Sequence, residues 1–355
     1  MTGNRLVDAF VDPQRPGRLA IETVDYHTGG EPFRIIVGGV PPLEGATILE
    51  CRRFAREQLD HVRRFLVYEP RGHADMYGCH VVPPNDAGAD LGVVFFHNEG
   101  YSTACGHGTI ALVTWALETG VLPMTGAETP VTLDVPSGRL ACVARCDVAA
   151  RRVTSVRFTN VLSFVLATGV TLPTSRGPIT VDVGYGGAFY GSADVRQLGL
   201  AVDKASLPAL IALQRELRPA LDAVLDVVHP EEPELRDIYG IIWWQDEPPA
   251  PGDDAALTQR NVTVFADGEV DRSPCGSGTS ARLALLHAAG LLRTGETLRH
   301  RSIVDSVFAG RVIGEAMVAG RPAVITEVEG TAHLAGRSQF VLDPADPLGT
   351  GFLLR

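Results

Sequence analysis

Two cysteines stand in matched surroundings. Cys275 lies in DRSPCGSGT, residues 271–279, which runs into SARLALLHAAGLL. Cys105 lies in NEGYSTACGHGT, residues 98–109, which runs into IALVTWALETGVL. Aligned on the two thiols, the windows share Gly106/Gly276, Gly108/Gly278, Thr109/Thr279, Ala111/Ala281, Gly120/Gly290 and Leu122/Leu292. Each follows an apolar run (LGVVFF, NVTVFA) and opens an apolar-periodic helix with a Gly after it. A helix N-terminus has free N–H groups and the positive end of the dipole, which favours a thiolate and lowers its pKa. The N–H groups of Gly106-His107 and Gly276-Ser277 can bind an anion such as a carboxylate. Two such ends facing across one pocket would clamp a carboxylate between two thiols, where one thiolate removes a Cα proton and the opposite thiol delivers one to the other face.

The neighbours fit that chemistry unequally. His107 follows Cys105 too closely for a hydrolase base and reads as a substrate contact. Asp271 ends a strand and could hold a substrate ammonium or simply form an Asx turn. A Cys105–Cys275 disulfide would need oxidising conditions, which six cysteines without a secretory pattern do not suggest. Cys142 and Cys146 lie in a strand-like stretch without paired His, and His73, Asp75 and His80 are irregularly spaced, so no metal site is expected. Lys204 is the sole lysine and falls near a helix start, which disfavours Schiff-base chemistry; no cofactor is expected.

The elements needed to hold the thiols recur in the same order. RLAIETVDYHT and GGEPFRIIVGG read as strands around a Gly-rich turn, residues 50–69 as one helix, and ADLGVVFF as a buried strand before Cys105. TPVTLDVPSGRLACVARCD and RRVTSVRFTNVLSFVLA read as hairpins. The grammar restarts with GPITVDVGYGGAFYGSADV, a helix over about 204–228, strands LRDIYGIIWWQDE and AALTQRNVTVFA, the Cys275 helix, and a β-meander over 302–343. This predicts an α+β chain of two related domains, each wrapping a sheet around its Cys-bearing helix, with the active site between them. A spacing of about 170 residues is too long for a solenoid repeat.

At 355 residues, 45% apolar and 21% charged, the chain can bury a substantial core. A net charge of −11 makes nucleic acid a poor partner. No run reaches about 18 apolar residues, so no membrane span is expected, and the polar N-terminus shows no secretory signal. A cytoplasmic location is the expectation.

With these motifs in hand, the chain resembles the proline racemase superfamily from about Arg18 to Arg355, on CGHGTIAL and DRSPCGSGTSA. The resemblance implies the diaminopimelate-epimerase-like fold, with β-barrel-like sheets around central helices, and a cofactor-independent enzyme acting at Cα of proline or hydroxyproline. It implies Cys105 and Cys275 as the acid–base pair, Gly106, His107, Gly276 and Ser277 as carboxylate contacts, and Asp271 as the contact to the imino nitrogen. The expected division is a tail over 1–18, one domain over 19–162 plus 337–355, and the other over 163–336. A homodimer is a family-level expectation. PRGHADMYG, HNEGYSTACGH and QFVLDPADPLGTGFLL look most like trans-3-hydroxy-L-proline dehydratases, which commonly carry Thr where this chain has Cys275; Ala104 also departs from the Met of many relatives. Both thiols favour proline racemisation or 4-hydroxyproline 2-epimerisation, whereas the flanks favour dehydration. A non-catalytic amino-acid-binding protein is the remote third reading.

Overall fold

The computed structural model describes residues 19–249, 252 and 254–354; the expected tail over 1–18 lies outside them. The first part of the chain forms β1 (Leu19–Thr28), β2 (Glu31–Gly38), α1 (Ile48–Gln58), α2 (Asp60–Val67), β3 (Tyr77–Val82), β4 (Leu91–His97), α3 (Gly106–Glu118), β5 (Glu128–Val135), β6 (Gly138–Asp147) and β7 (Arg152–Thr159). The second forms β8 (Ser163–Leu172), β9 (Ile179–Tyr185), β10 (Phe189–Asp194), α4 (Leu207–Val224), β11 (Ile238–Asp246), β12 (Leu257–Phe265), β13 (Glu269–Asp271), α5 (Gly276–Ala288), β14 (Thr297–Ser302), β15 (Val307–Val318), β16 (Arg321–Gly330) and β17 (Ala332–Leu342).

Alternation makes the strands: in β6, Leu140, Cys142, Ala144 and Cys146 point inward between more exposed neighbours. Strands β8, β9, β10, β11, β12, β14, β15 and β16 pair in that order, and β16 returns to β8, closing a barrel. Strands β17, β1, β2, β3, β4, β5, β6 and β7 form the matching layer, joined to the barrel where β7 pairs with β16. The parallel pairs fall at equivalent places: β2–β3 and β4–β5 in one layer, β10–β11 and β12–β14 in the other.

Each layer surrounds one helix. In α3 every residue from Gly106 to Leu117 is buried, and in α5 every residue from Gly276 to Leu286. A helix buried on all faces needs small or apolar residues throughout, as GHGTIALVTWAL supplies. Gly120 and Gly290 follow the two helices at φ 79° and 69°. There the Leu122 N–H reaches the Ala116 carbonyl and the Leu291 N–H the Leu286 carbonyl, so the paired glycines are left-handed helix stops.

Three expectations need correction. The stretch 50–69 is two helices, because the chain turns at Leu59 (φ −126°, ψ 17°). Leu59 is buried there, and the turn lets Ile48 and Ala55 of α1 share one core with Val62, Phe65 and Leu66 of α2. The stretch 151–167 is not a hairpin, since β7 and β8 both pair with β16 instead of with each other. The final meander ends at β16, and β17 leaves to pair with β1 from Leu19↔Leu342 to Thr28↔Ala332. The second part of the chain thus passes its last strand to the other layer.

Candidate active site

Helices α3 and α5 meet end to end at their N-termini. A Cβ on Gly106 would lie 2.4 Å from the Gly276 Cα, and one on Gly276 would lie 2.6 Å from the Gly106 Cα. Only glycine permits that approach. The second shared glycines clear the thiols: a Cβ on Gly108 would lie 2.7 Å from Cys105 Sγ, and one on Gly278 would lie 2.9 Å from Cys275 Sγ.

Cys105 and Cys275 are the N-cap residues. Cys105 is extended, and its Sγ accepts the Gly108 N–H at 3.3 Å. Cys275 adopts φ 65°, ψ 108°, a region that costs a non-glycine residue about 1–3 kcal/mol. Two bonds hold it there: its N–H donates to Ser273 Oγ at 3.1 Å, and its carbonyl accepts the Thr279 N–H at 2.7 Å. Thr109 makes the equivalent N–H bond to the Cys105 carbonyl, and the two Thr hydroxyls donate to nearby carbonyls, Thr109 Oγ1 to Cys105 and Thr279 Oγ1 to Pro274, which accounts for the repeated Thr.

His107 Nε2 lies 3.4 Å from Cys105 Sγ, and His107 Nδ1 lies 3.8 Å from Asp271 Oδ2. Thr28 Oγ1 donates to the His107 carbonyl at 2.9 Å. On the other side Tyr190 Oη is 3.9 Å from Cys275 Sγ and 2.7 Å from Ser277 Oγ. Asp271 ends β13, and its Oδ1 accepts the Ser273 N–H at 2.8 Å. All seven residues singled out from the sequence (Cys105, Gly106, His107, Asp271, Cys275, Gly276, Ser277) are buried and converge here.

Sequence reasoning missed the tyrosines. The Tyr77 hydroxyl donates to Ser102 Oγ at 2.5 Å and lies 2.9 Å from the Tyr239 hydroxyl. The Tyr77 ring meets the His107 imidazole edge-on at 4.9 Å. Single Tyr residues in strand-like runs read as ordinary core, and the repeat of DMYG (75–78) as DIYG (237–240) is the signal that could have found Tyr77 and Tyr239.

The expected low thiol pKa is reversed in this closed pocket. Burial holds Cys105 well above the ordinary thiol value; the Gly108 N–H pulls it down, but Asp271, Cys275 and Glu31 add to the rise. Cys275 is pushed up to about 12 by burial and then by Asp271, against the Gly278 N–H. Desolvation of a thiolate exceeds what one helix end returns. Burial lowers His107 to about 3, so it is a neutral imidazole and its contact with Asp271 is polar rather than ionic. Asp271 itself rises to about 6 through burial, moderated by its bonds to Ser273.

The arrangement is a buried cluster of two thiols, two sets of helix N–H groups and the Asp271 carboxylate, with Glu31 buried nearby. Residues 23–353 match the proline racemase family. The chain is 48% identical to a Burkholderia ambifaria protein named trans-3-hydroxy-L-proline dehydratase, covering 95% of this chain and 98% of that one. It is 47% identical to a Burkholderia multivorans protein named 3-hydroxyproline 2-epimerase, with the same coverage. A hydroxyproline epimerase from Agrobacterium vitis, solved with bound trans-4-hydroxy-L-proline, superposes with a TM-score of 0.87 at 34% identity, covering 95% of this chain and 96% of that one. The chain belongs to the proline racemase family and is an enzyme. Its fold is the proline racemase-like one.

Proposed function

We propose that the chain is a 3-hydroxyproline 2-epimerase in which Cys105 and Cys275 exchange the Cα proton between opposite faces. The observation that carries this is the end-to-end meeting of two helix N-termini, each capped by a buried thiol. The choice of 3-hydroxyproline within the hydroxyproline class rests on the two Burkholderia relatives above, whose names both specify it. The substrate carboxylate sits on the N–H groups of Gly106, His107, Gly276 and Ser277, and its ring ammonium on Asp271. That cation offsets the charge that disfavours ionisation of the thiols. One thiolate takes the Cα proton, the C–H electron pair moves into the carboxylate as an enediolate, and the opposite thiol returns a proton to the other face. The thiols end with their protonation states exchanged. The division over 19–162 plus 337–355 and 163–336 puts one thiol on each unit.

Proton NMR in deuterated water tests the reading. With trans-3-hydroxy-L-proline, deuterium should enter Cα as the cis-3-hydroxy-D isomer forms. Exchange without inversion would exclude epimerisation. Dehydration is the second reading, favoured by the relative named dehydratase. It needs only one base at Cα, after which the 3-hydroxyl leaves with a proton and the enamine becomes pyrroline-2-carboxylate. A cyclic imine trapped with o-aminobenzaldehyde would establish it.

A further inference from the structure

Asp271 ends β13, a three-residue strand paired on one side with β12, Thr263 opposite Asp271. Val270 and Arg272, two positions apart, turn their N–H groups to the other edge. Among the described residues no strand pairs with that edge. Instead the Val270 N–H donates to Asp75 Oδ1 at 3.2 Å, and the Arg272 N–H donates to Glu31 Oε2 at 2.8 Å. Both acceptors come from the other part of the chain, Glu31 at the start of β2 and Asp75 in the turn before β3. Arg272 reinforces the contact, its Nη1 lying 3.2 Å from Glu31 Oε2 and donating to the Asp75 carbonyl at 2.8 Å. The Gly29-Gly30 turn docks on the same segment, since a Cβ on Gly29 would lie 2.8 Å from Ser306 Oγ and 3.4 Å from Ser273 Cβ.

We propose that Glu31, with Asp75, is a positioning residue that completes the open edge of β13 across the interface and so aims Asp271 at the substrate's ring nitrogen. A carboxylate fully removed from water, with Oε1 lacking any hydrogen-bond partner among the described residues, is costly to keep and unnecessary for packing alone. Burial raises its pKa well above the ordinary carboxylate value, with Asp271 and Asp75 adding to the rise and Arg272 opposing it. Its position flanking Asp271 explains that cost. The clasp also ties the nitrogen contact to correct seating of the two layers: if they part, Asp271 loses both flanking supports.

The inference rests on Asp271 binding the ring nitrogen, and the test separates the two. In a Cys105→Ser background, which removes turnover, calorimetry compares trans-3-hydroxy-L-proline with the same acid carrying oxygen in place of the ring nitrogen. The parent should prefer the nitrogen ligand, and Asp271→Asn should reduce that preference about 10- to 100-fold, the range for hydrogen bonds to charged groups. Glu31→Ala should reduce it by about 10-fold or more through misplacement of Asp271, and Glu31→Gln, which keeps the acceptor for the Arg272 N–H, should hold within about threefold. If Asp271→Asn leaves the preference intact, the nitrogen-contact reading fails and the inference falls with it. If Asp271→Asn removes the preference but Glu31→Ala leaves it unchanged, only the inference is overturned. Equal weakening of both ligands by Glu31→Ala, or a Glu31→Gln variant as impaired as Glu31→Ala, overturns it as well.

Discussion

At the scale of single residues, the side chain at 275 separates two reactions that begin alike. A thiol there can reprotonate Cα from the second face; a Thr hydroxyl, far less acidic, cannot. Cys275→Thr should lower epimerisation about 10²- to 10⁴-fold, the usual contribution of a positioned acid or base. Deuterium exchange at Cα with retention should persist, read by NMR against optical rotation. In the proposed mechanism Asp271 sets a pH dependence, because it has to be ionised to hold the ring ammonium. With its pKa raised to about 6, kcat/KM should rise with pH through about 6. The same shift acts on stability with the opposite sense. A carboxyl raised from 3.8 stabilises the fold below about pH 4 and loses that contribution as pH climbs through about 6, on the order of a few kcal/mol; the Asp271→Asn variant should lack this slope in denaturant titrations. Residue identities were the most legible level: the repeated Cys-Gly-x-Gly-Thr holds six of the seven residues named from the sequence, and all of them lie together with Asp271 in the fold. Their ionisation was not, because a sequence reveals a helix end but not the dryness around it.

At the scale of elements, the glycine pair decides how close the two helices can come. Gly106→Ala would drive a methyl to 2.4 Å from the Gly276 backbone, where no side chain can rotate away. Overpacking of that kind costs about 1–3 kcal/mol, and parting the two ends should remove most turnover even in protein that stays folded. Thermal melting beside kcat/KM on Gly106→Ala and Gly276→Ala measures both. Strands announced themselves by alternation, and the helix stops at Gly120 and Gly290 by their glycines. The break at Leu59 did not, since a buried Leu carries no turn signal and the helical spacing continues through it. Nor did the partners of β7 and β8, because local alternation shows which face a strand buries and not which neighbour it joins.

At the scale of the whole molecule, the crossing of β17 to the other layer and the pairing of β7 with β16 tie the two parts of the chain around one site. All six cysteines are buried, Cys105 and Cys275 at 5% and 6% exposure, and the expected entry route for substrate is a parting of the layers. A cavity of about 180 Å³ touches Ser102 and Tyr239 and draws its walls from both layers, Arg52 and Tyr101 from one, Tyr185 and Arg218 from the other. Alkylation of Cys105 and Cys275 by iodoacetamide should therefore report opening, and saturating trans-3-hydroxy-L-proline should slow it at least tenfold, in proportion to site occupancy. Peptide mapping of the modified protein checks this. The repeat of two units was visible from the echo of Cys105 in Cys275; the crossing of β17 was not, because it depends on contacts between residues more than 300 positions apart, such as Leu19 and Leu342.

The end-to-end meeting of α3 and α5 sets two positive poles against each other in a medium that screens them poorly. An empty pocket is therefore a place of mutual repulsion, and any small anion that fits between the poles relieves it. Carbonate, acetate or formate should act on this protein as folding aids and as inhibitors at once. Occupancy at 100 times the dissociation constant would add about 2.7 kcal/mol to stability while excluding the amino acid. The salt in a storage buffer would then set both the melting temperature and the apparent KM, in opposite directions of usefulness.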